Sequence, residues 1–219
     1  MNTSIQGVLL AAGSGTRYGM PKALAQNGAW LADAVSALLG GGCHGVVLVL
    51  GAADATRVAS LGAVDLGNPL VTVVQNDDWQ SGMAGSVRAG LDTLEHTTAD
   101  LAVILLVDTP DVEASIVARV IDAVTARDTA DLGQAAVPSA SRAPRGDARD
   151  ALARAYFGSV PGHPVAVGRH HWRAITSTAR GDEGARRFLH DHPELIRVPC
   201  EDLATGIDHD VAQDRRDGS

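Results

Sequence analysis

One short segment concentrates most of the chemistry visible in this chain. It reads Leu10-Ala11-Ala12-Gly13-Ser14-Gly15-Thr16-Arg17-Tyr18-Gly19-Met20-Pro21-Lys22. Glycines lack a β-carbon, so backbone N–H groups there can approach an oxyanion closely. Arg17 offers a planar fork for phosphate oxygens, and Lys22 a compact point charge. Pro21 fixes the backbone leading into Lys22. Lys22 is the one lysine beside 17 arginines. Three glycines, an arginine and that lysine within ten residues point to a phosphate-binding loop rather than a plain turn. Two familiar templates fail. A dinucleotide fingerprint requires glycine where Tyr18 stands. A P-loop requires Gly-Lys-Ser/Thr, and here Pro21 precedes Lys22 and Ala23 follows it.

A second candidate is Asp108, in Leu105-Leu106-Val107-Asp108-Thr109-Pro110. An acid at the carboxyl end of a parallel strand faces the crevice where α/β proteins bind ligands. Hard cations favour such oxygens together with phosphates. The alternative is a cap for a helix starting near Val112, a task that Thr109 or Asp111 also fits. A third station, from Asn76 to Ser86, ends in Gly82-Met83-Ala84-Gly85-Ser86. N–H groups exposed at a helix start bind anions or polar ligand groups. Trp79 and Met83 are also suited to pinning the loop to the core.

The elements that must position these groups follow from the apolar pattern. Ile5 to Ala11, Val46 to Leu50, Leu70 to Val74 and Leu101 to Val107 are continuous apolar runs of strand length. Such runs fit a parallel sheet covered on both faces. Between them, Met83, Val87, Leu91 and Leu94 share one helical face. Val112, Ile116, Val117, Val120, Ile121 and Val124 do the same. Strand alternating with helix gives an α/β three-layer sandwich. Later, Val165 to Val167 and Leu195 to Val198 read as strands, and Glu183 to His190 as a helix. The polar stretch from Ser139 to Ala155 reads as a surface excursion with a short helix from Ala148 to Ala155. The tail at 214–219 reads as frayed. The expectation is one domain over residues 1–219.

Bulk properties narrow the partners. The net charge of −8 opposes broad binding to a nucleic-acid backbone. A few local cations can still hold a small anion against that field. Cys43 and Cys200 are far apart in sequence and have no metal-ligand spacing, as expected of reduced thiols in a cytoplasmic protein. The N-terminal residues do not read as a signal peptide. No apolar run approaches the roughly 20 residues of a membrane span.

The loop resembles the Leu-Ala-Ala-Gly-x-Gly-x-Arg-x-Gly-x-Pro-Lys signature of the MobA-like nucleotidyltransferases, and within them the molybdenum cofactor cytidylyltransferases. Asn76 to Ser86 resembles their Asn-x-x-Trp-x-x-Gly-Met-x-x-Ser segment. Asp108 resembles their Asp-x-Pro station, with Val107 in place of the usual preceding glycine. Gly162-His163-Pro164 and Gly181-Asp182-Glu183-Gly184-Ala185-Arg186 resemble two further segments of that branch. Thr205-Gly206-Ile207-Asp208-His209-Asp210 stands where the family has Asp-Ile-Asp-Thr-Pro-x-Asp, with Gly206 replacing the first aspartate.

What the resemblance implies can be stated residue by residue. The fold would be a mostly parallel, Rossmann-like sheet of the nucleotide-diphospho-sugar transferase type. Leu10, Ala11, Ala12, Gly13, Ser14, Gly15, Thr16, Lys22, Gly82 and Ser86 would bind the nucleotide. Arg17, Lys22 and Asp108 would be catalytic. Asp108 and Asp208 would hold Mg²⁺, with Asp210 the alternative second ligand. His163 and Asp182 would face the acceptor, although Asp182 is equally able to cap a helix. Residues 142–160 would be an insertion relative to the family. The implied reaction moves CMP from CTP to molybdenum-bound molybdopterin, with a molybdenum hydroxylase as a possible recipient of the product. Guanylyl transfer to the same acceptor is one rival. Guanylyl members resemble Leu-Ala-Gly-Gly at the loop start, whereas Ala12 here sets a methyl group against the base. Transfer to a sugar or alditol phosphate is another. Relatives with the same signature are assigned a pyridine-dye reductase role in nicotine breakdown, and a non-catalytic carrier of the cofactor is a further alternative.

Overall fold

The computed structural model describes residues 3–125, 147–190 and 192–207. Among these described residues, seven strands form one sheet in the order β3-β2-β1-β4-β6-β5-β7. They are β1 (Ile5–Ala11), β2 (Val46–Leu50), β3 (Val71–Gln75), β4 (Leu101–Leu106), β5 (Leu152–Phe157), β6 (Val160–Gly168) and β7 (Ile196–Pro199). Strands β1 to β4 are parallel. β6 runs against both neighbours, and β7 is parallel to β5. The sheet is therefore mixed and mostly parallel.

Alternation along the central strands builds two cores. Leu9, Leu48, Val103 and Leu105 face one side, where helices α1 (Ala29–Gly40) and α4 (Ala114–Thr125) pack. Val8, Leu10, Val47, Val49 and Ile104 face the other side, towards α3 (Met83–Glu95) and α5 (Arg169–Thr178). Two further helices are short, α2 (Ala55–Leu61) and α6 (Arg186–Leu189). This is the expected three-layer arrangement, and aliphatic burial on both faces is its main driving force. Among the described residues no helix is long and apolar enough to cross a membrane. Cys43 and Cys200 are buried free thiols.

Several boundaries differ from the sequence pattern. β3 starts one residue later than the apolar run suggests, and its Thr72 and Gln75 are exposed because it is an edge strand. Val112 is buried, but its helix begins only at Ala114. Met83 shares the α3 stripe in sequence yet is 36% exposed, because it sits at the first turn facing a cleft rather than the core. The Glu183 to His190 helix is broken into a 3-10 turn at Gly181–Glu183 and α6, separated where Gly184 presses against Met83.

The largest correction concerns residues 139–160. The sequence predicts a surface excursion there, with a helix from Ala148 to Ala155, and the family resemblance makes 142–160 an insertion. Residues 126–146 lie outside the described ones. Beyond them, a 3-10 turn at Ala148–Asp150 leads directly into β5, which is central to its half of the sheet. Leu-Ala-Arg-Ala has high helix propensity. The slot between β6 and β7 overrides it, burying Leu152, Ala153 and Ala155. The frayed tail expected at 214–219 lies outside the described residues.

Candidate active site

β1 and β4 are parallel neighbours, with Leu10 opposite Leu106. The segments leaving their carboxyl ends must therefore emerge side by side. One is the glycine-rich loop and the other carries Asp108. Between them and the start of α3 lies a cleft of about 650 Å³.

The loop is a closed structure. The Gly19 N–H donates to the Gly15 carbonyl at 2.8 Å, and the Ser14 and Thr16 hydroxyls meet at 2.9 Å. Gly15 has φ of +60°, and a β-carbon there would lie 1.9 Å from the Met20 carbonyl oxygen. Only glycine fits this position. Around Gly13, by contrast, no atom lies within 4 Å of a β-carbon's place, so its backbone is open to a ligand. Tyr18, which departs from the dinucleotide fingerprint, sets its ring 5.2 Å from that of Trp30 and ties the loop to α1. The floor is tight: Gly51 fits between Ala12 and Trp79, and the Ala52 N–H bonds the Ala12 carbonyl at 3.0 Å.

Asp108 does not act as a helix cap. Thr109 closes the turn instead, with its hydroxyl on the Leu106 carbonyl at 2.9 Å and its own carbonyl accepting from the Val112 N–H at 3.1 Å. The Asp108 carboxylate reaches across to the loop, and Lys22 Nζ donates to its Oδ2 at 2.6 Å. The two side chains are only 13% and 18% exposed. The other oxygen, Oδ1, is buried without a hydrogen-bond partner. A shielded carboxylate oxygen without a partner, on a side chain that reaches the loop through its other oxygen, fits a hard divalent cation. Among the described residues, no three His, Cys, Asp or Glu side chains gather into a ready-made metal cage.

Two of the distant segments meet at the opposite wall. Gly82 has φ of +99°, and a β-carbon on it would come within 2.6 Å of both Asp182 Oδ1 and the Gly181 carbonyl carbon. The turn at 181–183 thus packs directly onto the start of α3 and places Asp182 on the cleft. Ser86, one turn further along α3, is buried, and its Oγ accepts from Asn76 Nδ2 at 3.2 Å. Asn76 in turn holds the Asp78 N–H at 3.1 Å, fixing the bend that precedes the helix. Gly82→Ala is expected to cost about 1–3 kcal/mol of stability from strain and overpacking. It should also raise the KM for nucleotide by separating the two turns. Urea denaturation beside nucleotide titration checks this; an unchanged midpoint and KM would show that the contact between the turns is unimportant.

Leu10, Ala11, Ala12, Gly13, Ser14, Gly15, Thr16, Arg17, Lys22, Gly82, Ser86, Asp108 and Asp182 all line this cleft. Asp208 and Asp210 lie outside the described residues. The segment before them is anchored at this end of the sheet. Asp111 Oδ2 accepts from the Thr205 N–H at 2.9 Å, the Thr205 hydroxyl and the Gly206 N–H at 3.1 Å. The sequence offers Asp111 only as a helix cap; a contact with a residue 94 positions away leaves no local signal. Gln80 also lines the cleft, from a turn whose exposed side the sequence does not distinguish.

His163 is not among the cleft-lining residues. It sits on β6 with Nδ1 donating to the Ile104 carbonyl at 3.3 Å. Burial pushes the pKa of its imidazole down to about 4; the Arg154 guanidinium acts in the same direction, while the Ile104 carbonyl and Asp108 oppose it. The ring is therefore neutral at pH 7, and any role towards an acceptor is that of a neutral hydrogen-bonding group. Arg154, on the strand that the sequence assigns to the excursion, braces this segment by donating to the Gly162 carbonyl at 2.9 Å. A histidine depressed when folded stabilises the fold above its unfolded value of 6.5, and that stability is lost as pH falls towards about 4. The expected result is a His163 NMR titration with a midpoint near 4 and, in His163→Gln, a shallower loss of stability over that interval. A midpoint near 6.5 would contradict the environment described.

A mostly parallel sheet that turns a cationic glycine loop towards a shielded carboxylate defines a nucleotide-handling α/β protein. Residues 7–196 match the MobA-like NTP transferase domain, and the chain belongs to that family of nucleotidyltransferases. Over 213 residues it is 36% identical to "Nicotine blue oxidoreductase" of Paenarthrobacter nicotinovorans, covering 95% of this chain and 93% of that one. Rv0371c of Mycobacterium tuberculosis H37Rv shares its fold with a TM-score of 0.66 and 24% identity, over 96% of this chain and 95% of that one. A complex of Rv0371c with manganese is also similar, with a TM-score of 0.60 and 21% identity, over 97% and 93% of the two chains. The 4-diphosphocytidyl-2C-methyl-D-erythritol synthase of Anaerococcus prevotii matches at a TM-score of 0.64 and 12% identity, over 95% and 91%.

Proposed function

We propose that this protein transfers CMP from CTP to the phosphate of molybdenum-bound molybdopterin, with release of pyrophosphate. The observation that carries the reading is the Lys22–Asp108 pair, which sets a cation and a shielded carboxylate oxygen at the mouth of the glycine loop. The loop backbone around Gly13, together with Arg17, would receive the triphosphate. The acceptor phosphate is already an anion, so attack on the α-phosphorus needs no strong general base, in keeping with a neutral His163. Catalysis is then positioning and charge stabilisation. Lys22 would offset charge on the α-phosphate and the departing pyrophosphate. Asp108 would hold Mg²⁺ through its shielded oxygen. Asp208 would be the second ligand, with Asp210 the alternative. When bound, the metal neutralises phosphate charge and acts as a Lewis acid.

The family resemblance at Ala11-Ala12 favours a pyrimidine, and the Ala12 methyl itself is buried beside Gly51. The expected result is tighter binding of CTP than of GTP in competition assays with Mg²⁺. Tighter GTP binding would assign the protein to guanylyl transfer.

The name of the 36% identical relative favours a second reading, reduction of a pyridine dye. Against it, Tyr18 occupies the glycine position of a dinucleotide fingerprint. The two separate cleanly: NADH or NADPH consumption with a quinonoid pyridine dye, or flavin absorbance in the purified protein, supports reduction. Pyrophosphate release supports transfer.

A further inference from the structure

We infer that Lys22 makes divalent-cation binding at Asp108 conditional on nucleotide. The inference rests on the transferase reading above and concerns what the resting cleft does before substrate arrives. Lys22 Nζ lies 2.6 Å from Asp108 Oδ2, and both side chains are largely shielded from water. A cation approaching the unpartnered Oδ1 therefore meets a carboxylate whose charge is already compensated by an adjacent ammonium. Like charges a few ångströms apart in a partly dehydrated site repel strongly. The ammonium and the cation compete for one carboxylate.

A triphosphate changes this balance. It brings several negative charges to the loop that carries Lys22, and the four-carbon stem of a lysine lets the ammonium move onto them. Oδ2 is then released, and the whole carboxylate charge becomes available to the cation. The phosphates supply further oxygens of the kind such ions favour. Nucleotide and cation thus assist one another, and by linkage each raises the other's affinity by the same factor. A carboxylate held by an ammonium until then is also kept from binding metals adventitiously.

The test uses Mn²⁺ alone as the probe, with protein-bound ion followed by water-proton relaxation on the full chain. Wild type should bind Mn²⁺ weakly, and α,β-methylene-CTP, which cannot release pyrophosphate, should tighten binding about tenfold or more. Lys22→Met removes the charge but keeps the stem, and should bind Mn²⁺ without nucleotide about tenfold more tightly than wild type. Asp108→Asn should abolish tight binding in every arm. Equal Mn²⁺ affinity in wild type and Lys22→Met, with Asp108→Asn still disruptive, would overturn the coupling while leaving Asp108 as the metal ligand. Binding indifferent to Asp108→Asn even with nucleotide present would overturn the metal assignment itself, and the coupling with it.

Discussion

Lys22→Ala is expected to lower turnover at saturating nucleotide by about 10²–10³, the usual loss when one donor to a developing oxyanion is removed. The fold should survive the change, at a smaller cost in stability. Lys22 is paired with Asp108, and losing that partner leaves a partly buried carboxylate with a weaker hydrogen-bond complement. A cost of about 1–3 kcal/mol is expected for such a group. Arg17 separates the two effects. It is exposed on the loop, so Arg17→Ala should cost turnover with little change in the unfolding midpoint. Steady-state pyrophosphate release and urea denaturation on the same preparations measure both quantities. Wild-type turnover in Lys22→Ala would remove the phosphate role from the loop's one lysine.

Asp108→Asn is expected to have the larger effect. The amide keeps the shape and an oxygen for Lys22, but it removes the charge that a divalent cation requires. Transfer should fall by about 10³ or more, since both charge stabilisation and phosphate positioning are lost. Added Mg²⁺ should not restore it, and the fold should remain intact by near-UV circular dichroism. Asp208→Asn should act in the same direction but less severely if Asp210 substitutes for it. Retained transfer in Asp108→Asn would leave the shielded Oδ1 without a function.

Much of this arrangement is legible in the chain, for identifiable reasons. The apolar runs give β1 and β2 their observed limits because central parallel strands are covered on both faces and appear as unbroken apolar stretches. The loop is legible because glycines and cations serve local needs there, as the fit of Gly15 against Met20 shows. Asp108 follows from strand polarity alone. β5 is not legible, because Ala153 and Ala155 suit the space beside α4 and have no strand preference of their own. The same holds for contacts closed only by folding. Gly82 against Gly181, and Asp111 with Thr205, depend on segments roughly a hundred residues apart, and neither partner announces the other. His163 is legible as a residue but not as a neutral one, since its state is set by burial on β6.

Pyrophosphate release is the direct measure of the proposed nucleotidyl transfer from CTP to a molybdopterin phosphate. Each of the four NTPs is incubated with the full chain and Mg²⁺, with and without molybdenum-loaded molybdopterin. Release is expected to require the acceptor and to be fastest with CTP. Absence of release with every nucleotide, together with oxidation of NADH or NADPH by a pyridine dye, would contradict it.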